Sequence, residues 1–248
     1  MLKKRLIIVL TFLDGVLFRT KNFIPDYRYT KNFIDLWSID ELILIDISKK
    51  KFNKEFLDVV FYFSNNCFVP ISVGGGIKNI KDADLYFQMG ADKIVLGSNS
   101  IINENLIKDV SLKYGNQSII QTLDCKKIDT KKIDYRLTKN SGKEITNIDP
   151  LNFAQKVEKI GVGEILINSV DNDGGLLGYD LELIKIISNS VNCPIIALGG
   201  AGNWQHILDL FFNTNISAAC TQNIFHFTEQ SISSAKSFLK KNNIIIRN

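Results

Sequence analysis

One pattern limits what this chain can become. Short apolar runs rich in β-branched residues alternate with helix-period segments along the sequence, and the second half echoes the first. The runs fall at residues 6–10, 42–47, 69–73, 93–96, 118–123, 164–168, 194–198 and 217–220, and the helical segments between them at 80–89, 102–114, 150–160, 181–191 and 204–212. Continuously apolar strands are covered on both faces, which indicates a parallel sheet. Eight strand–helix units in 248 residues predict an α/β fold, a (β/α)8 TIM barrel occupying residues 1–248 as one domain. An open, doubly wound sheet is the alternative, but it does not predict an internal repeat. Val73-Gly74-Gly75-Gly76 returns 125 residues later as Leu198-Gly199-Gly200-Ala201, and Glu41-Leu42-Ile43-Leu44-Ile45 returns as Glu164-Ile165-Leu166-Ile167-Asn168, so two similar half-barrels are expected.

Composition removes several function classes. With 45% hydrophobic and 23% charged residues the chain can bury a core, and 30 basic against 26 acidic residues leave +4, too slight an excess for a nucleic-acid surface. The basic start and apolar run of residues 1–10 end at Thr11-Phe12-Leu13-Asp14-Gly15 without a small-residue cleavage site. No apolar stretch approaches membrane-span length. A cytoplasmic location without a membrane partner is therefore expected. Cys67, Cys125, Cys193 and Cys220 stand singly, as reduced packing thiols would.

In such a barrel the ligand site lies where strands end and loops begin. That criterion selects Asp14, Asp46, Gly74, Gly75, Gly76, Ser98, Asp124, Asp171, Asp173, Gly199 and Gly200, and it places two non-periodic stretches, 20–30 and 126–147, on the same face as long connections. The two glycine loops precede helices, where bare backbone N–H groups and the helix dipole favour an anion. Their duplication suits a long ligand with an anionic group at each end. A tight βα turn requiring glycine for its own geometry is the competing explanation. Asp124 closes an apolar run and so stands at a strand mouth, where a carboxylate can serve as general acid or base. The acids around Asp171 and Asp173 do not match a calcium loop, so no metal is expected. Neither His206 nor His226 forms an obvious catalytic pair with Ser or Cys.

Taken with Asp14-Gly15, Ile39-Asp40-Glu41-Leu42, Gly90-Ala91-Asp92-Lys93, Gly163-Glu164-Ile165-Leu166, Asp171-Asn172-Asp173-Gly174, Gly178-Tyr179-Asp180, Gly199-Gly200-Ala201-Gly202 and Phe225-His226-Phe227, these segments resemble the cyclase-subunit family of imidazole glycerol phosphate synthase over nearly the whole chain. The resemblance implies a barrel that receives ammonia from a separate glutaminase subunit as a heterodimer, with no cofactor. It implies two catalytic aspartates at the ends of strands one and five. Asp124 falls on the second, but Thr11 falls on the first, and a hydroxyl cannot replace a carboxylate in acid–base chemistry near neutrality. Arg19 keeps a cation at the family's substrate lysine. Ser98, Ser141, Asn168 and Asn223 occupy substrate or phosphate positions, with Gly97-Ser98 and Gln222-Asn223 departing from the usual Asn-Thr and Ala-Ser, and Asn168 replacing threonine.

At the opposite end, Arg5, Glu41, Lys93 and Glu164 match in type the four residues of the family's ammonia gate, and Asp92 matches one that faces the glutaminase. A gate retained while the first aspartate is lost resembles a divergent branch linked to amidination of bacterial surface-polysaccharide sugars. That branch implies an anionic sugar or phosphosugar ligand and an ATP-dependent sugar-activating amidotransferase as a further partner. Two other expectations stand beside it: the cyclase subunit of histidine biosynthesis, and a non-catalytic scaffold that only conducts ammonia.

Overall fold

Each of the eight apolar runs forms a strand, and together they close on themselves. The computed structural model describes residues 3–29, 38–129, 133–222 and 232–247. In chain order the elements are β1 (Arg5–Leu13), β2 (Val16–Lys21), β3 (Ile24–Arg28), β4 (Glu41–Asp46), α1 (Lys54–Asn66), β5 (Ile71–Gly74), α2 (Ile80–Gln88), β6 (Lys93–Leu96), α3 (Ser98–Ile102) and α4 (Asn105–Tyr114). They continue as β7 (Ile119–Asp129), β8 (Asp134–Lys139), β9 (Glu144–Ile145), α5 (Pro150–Ile160), β10 (Glu164–Ser169), α6 (Leu181–Ser188), β11 (Ile195–Leu198), α7 (Trp204–Asn213), β12 (Ala218–Thr221) and α8 (Ile232–Lys241). Strands β1, β4, β5, β6, β7, β10, β11 and β12 pair in parallel around a ring, closed by β12 on β1 with Arg5 opposite Ala218. A (β/α)8 barrel results, and the open-sheet alternative falls.

Strand parity sorts the core into two layers. Ile7, Val9, Ile43, Val95, Ile120, Leu166, Ile196, Ala218 and Cys220 pack inside the ring, so the barrel interior is filled rather than hollow. Their neighbours on β1, Leu6, Ile8 and Leu10, point outward into the larger cluster beneath the helices. Helix starts follow the sequence closely: Asn53, Asn79, Asp149, Asp180 and Asn203 each accept a backbone N–H of the helix they open.

The two stretches expected as non-periodic connections hold strands instead. Asp14 and Gly15 adopt φ of 50° and 73°, a two-residue turn that pairs Leu13 with Val16 and folds β2 back on β1. Asn22 and Phe23, with φ of 49° and 64°, turn β2 into β3. On the far side β7 runs on to Asp129 and pairs antiparallel with β8, which carries β9. Both antiparallel extensions rise from the same barrel face and form walls around its mouth. Among the described residues no helix is long and apolar enough to cross a membrane, and all four cysteines are free thiols.

Candidate functional site

The walls enclose a cavity of about 410 Å3 at the C-terminal ends of the barrel strands. Its floor is built by inward-facing positions one step above the apolar interior: Thr11 on β1, Thr122 and Asp124 on β7, and Asn168 on β10. Parallel register sets Asn168 opposite Asp124, so the Asn168 amide donates to Asp124 Oδ1 over 3.0 Å. Burial pushes the Asp124 carboxyl up to about 6, against the Asn168 hydrogen bond and with the Asp173 carboxylate reinforcing the rise. Asp173, from the segment after β10, lines the same cavity and accepts the Phe23 N–H over 3.1 Å. Burial pushes it to about 6 as well. Two carboxyl groups, each ionised in part near neutral pH and each sensing nearby negative charge, can divide acid and base work.

Thr11 belongs to a neutral network. The Gln222 side-chain amide donates to Thr11 Oγ1 over 3.0 Å and to the Phe18 carbonyl over 3.1 Å, while its oxygen accepts from Thr20 Oγ1 over 3.2 Å. A glutamine side chain that satisfies a strand end, the β2 backbone and a second hydroxyl fixes this wall without charge.

Both glycine loops hold backbone that only glycine adopts readily. Gly75 and Gly76 hold φ of 124° and 76°, and a Cβ on Gly75 would lie 2.5 Å from the Asp46 carbonyl oxygen, so a side chain is excluded there. Gly200 holds φ of 102°, and its added Cβ would meet the Gly178 oxygen at 2.0 Å. The backbone N–H groups of Gly75, Gly76, Gly199 and Gly200 make no hydrogen bond to other described residues. Ser98 Oγ, beside the first loop, accepts the Asn140 N–H over 3.3 Å.

The structure gathers Thr11, Asp46, Gly75, Gly76, Ser98, Asp124, Ser141, Asn168 and Asp173 around the cavity, with Gly199 and Gly200 in an adjoining recess that also contains Asp173 and Gln222. Asp46 is buried, one oxygen accepting the Ser48 N–H over 2.8 Å. Four other candidates lie off the lining. Asp14 is an exposed residue of the β1–β2 turn, placed there by the turn's left-handed geometry. Arg19 pairs with Asp26 across the β2–β3 hairpin. Exposed Asp171 accepts the Lys127 N–H over 2.8 Å, and Gly74 is a ladder residue of β5. Asn223 and His226 lie outside the described residues. Lys49, Lys51 and Lys78 line the cavity although sequence reasoning did not select them, and Gln222, marked there only as part of the departing Gln222-Asn223 pair, lines it too. The Lys49-Lys50-Lys51 run, directly after the second barrel strand, is the signal that marks the first two.

At the other end of the barrel, Arg5 donates to Glu41 and Glu164 over 2.6 Å each, and Lys93 pairs with both acids, reaching Glu41 over 3.3 Å. Two cations and two anions thus form one closed ring. Burial pushes the Glu164 carboxyl up, but Arg5 and Lys93 outweigh it and hold the group below its usual range. Asp92 stays outside the ring: it is exposed, and its carboxylate accepts the Ile71 N–H over 2.7 Å. Beneath the ring lies a surface recess of about 670 Å3 that includes Lys3, Arg5, Lys93, Glu164 and Arg247.

Residues 9–231 match a family of proteins described as histidine biosynthesis protein. The chain is 38% identical over 253 residues to the imidazole glycerol phosphate synthase subunit HisF of Prosthecochloris aestuarii, with both chains covered in full. It is 36% identical over 254 residues to the subunit of the same name from a Hydrogenobaculum species, again in full. To that of Staphylococcus carnosus it is 36% identical over 253 residues, covering all of this chain and 99% of the relative. These relatives favour the histidine-pathway alternative over the surface-polysaccharide reading.

Proposed function

Because the chain belongs to the histidine biosynthesis protein family, we propose that it is the ammonia-accepting cyclase subunit of an imidazole glycerol phosphate synthase. Its substrate carries an anionic group at each end, and its ammonia comes from a separate glutaminase subunit docked over the ring of Arg5, Glu41, Lys93 and Glu164. The observation that carries this reading is the cavity itself, where Asp124 and Asp173 stand with two glycine loops whose backbone N–H groups make no hydrogen bond to other described residues. Condensation of ammonia with a substrate carbonyl moves two protons from nitrogen to the oxygen that leaves as water, one when nitrogen adds and one when water departs. Asp124 and Asp173, both titrating near 6, supply one group for each transfer without a carboxylate on β1. Thr11 holds an uncharged wall beside them, and its hydroxyl proton remains available to a ligand acceptor.

The test is turnover of the synthase substrate by the isolated chain with ammonium salts at alkaline pH. Asp124→Asn and Asp173→Asn should each lower kcat by roughly 10²- to 10⁴-fold, as loss of a general acid or base does. Absence of turnover in the unmodified chain overturns the cyclase reading. The second reading, ammonia delivery to a sugar activated by an ATP-dependent amidotransferase, is favoured by Thr11 alone and would then be tested with the glutaminase present.

A further inference from the structure

Among the described residues, the two glycine loops are unequally charged. Lys49, Lys51 and Lys78 line the cavity, and Lys51 and Lys78 flank the 74–76 loop in space or sequence. The recess at Gly199 and Gly200 has no Lys or Arg among its described lining residues, and it contains Asp173.

Lys51 is built into its end of the cavity. Its stem covers Gly76 so closely that an added Cβ there would lie 2.4 Å from Lys51 Cγ. Its ammonium donates to the Asp46 carbonyl over 2.6 Å and stands 4.0 Å from Asp46 Oδ2. An ammonium has three donors, so this anchoring leaves N–H directions for a ligand beside the unpaired N–H groups of Gly75 and Gly76. Exposed Lys49 and Lys78 add charge at the rim. Ligand charge mirrors site charge when both are held in place. Each loop has a carboxylate nearby, Asp46 at the first and Asp173 at the second, but only at the 74–76 loop does an ammonium, that of Lys51, stand beside it to offset that charge and contact an anion directly.

We propose that the cavity has an anchoring end and a trailing end: Lys51, helped by Lys49 and Lys78, makes the 74–76 loop bind the first and more tightly held anionic group of a two-headed substrate. The proposal rests on the anion-cradle reading above and adds Lys51 as a determinant of substrate orientation.

Inorganic phosphate is the probe, titrated at low ionic strength into the isotope-labelled full chain while the amide signals of both loops are followed by NMR. Signals of Gly75, Gly76 and Ser98 should saturate at a concentration at least about tenfold lower than those of Gly199 and Gly200, the fold-change that one charge-assisted hydrogen bond supplies. Lys51→Met keeps the packing stem and removes the charge. It should weaken phosphate binding at the first set by roughly tenfold, leave the second set unchanged, and be rescued by Lys51→Arg. If Lys51→Met disturbs the loop, the exposed pair Lys49→Ala and Lys78→Ala carries the same test, and the preference should shrink several-fold. Both ends saturating together, the second end saturating first, or a preference indifferent to these lysines would overturn the proposal. The titration needs no turnover, so its failure is distinct from failure of the cyclase reading. In a turning-over enzyme Lys51→Met should raise KM with kcat retained.

Discussion

Replacing Asp124 by Asn should make the protein more stable while removing its chemistry. The folded-state carboxyl titrates at about 6, mainly because of burial, against an unfolded value near 3.9. Each unit corresponds to about 1.4 kcal/mol, so a shift of roughly two units costs at most about 3 kcal/mol when the group is ionised. Water in the cavity, to which Asp124 is partly open, brings the expected gain nearer ~1–2 kcal/mol. The sign follows from linkage. Between pH 4 and 6 the native state holds the proton that the unfolded state releases, so the Asp124 contribution to stability falls as pH rises through this window, then stays constant above it. The neutral amide introduced by Asp124→Asn carries no such penalty and can still accept from Asn168. Guanidinium unfolding of both proteins at several pH values measures the difference: Asp124→Asn should gain ~1–2 kcal/mol at pH 7.5 and nothing near pH 4. A variant less stable at pH 7.5, or a gain unchanged at pH 4, would refute burial as the cause of the raised pKa.

Glu164→Gln should act in the opposite direction, costing about 3 kcal/mol at pH 7 because Arg5 and Lys93 lose one of their two buried partners. The Glu164 carboxyl lies below its usual range, so its stabilisation is present above the unfolded pKa and lost as pH falls through the lower folded one. Urea titrations at pH 7 and pH 3.5 should therefore show that cost shrinking in acid. Asp173→Asn removes a negative neighbour of Asp124, so the acidic limb of a kcat/KM pH profile measured on its residual activity should move to lower pH; an unmoved limb means the two acids do not sense each other. Gly200→Ala meets both a φ of 102° and a backbone oxygen 2.0 Å away, and should cost at least ~2 kcal/mol in thermal unfolding with loss of phosphate-induced shifts at that loop.

The barrel was legible because its strands are buried on both faces, and burial writes an unbroken apolar run. Strand 93–96 and helix 150–160 have the boundaries expected from sequence, the helix because Asp149 caps it, Pro150 opens it and Gly161 ends it in the left-handed region. The hairpins were obscured because β3 is largely exposed, so its pattern carries no apolar period. Their turns were nevertheless visible: Asp14-Gly15 between apolar residues is a hairpin signal, and assigning it to ligand binding concealed the strand reversal. In the candidate site, Asp124 and Asp173 were legible from strand position, and Asn168 from the family resemblance. Lys51 was not, because its place in the cavity depends on a loop path that brings it to Gly76, and Gln222 was visible only as a departure from the family's phosphate pair, its bond to Thr11 depending on closure of the barrel.

Closure of β1 against β12 has a consequence for how the molecule is made. The first barrel strand of the chain waits for its second neighbour until Ala218 has been synthesised, so during most of translation the nascent sheet has an unpaired edge on each side. Sequence separation of that size slows folding and leaves strand edges open to other chains. Buried Asp40 accepts the Leu6 N–H and binds buried Lys236 on α8, both over 2.7 Å. Helix α8 therefore locks the first barrel strand, and the barrel can reach its native state only after residues 232–241 have been made.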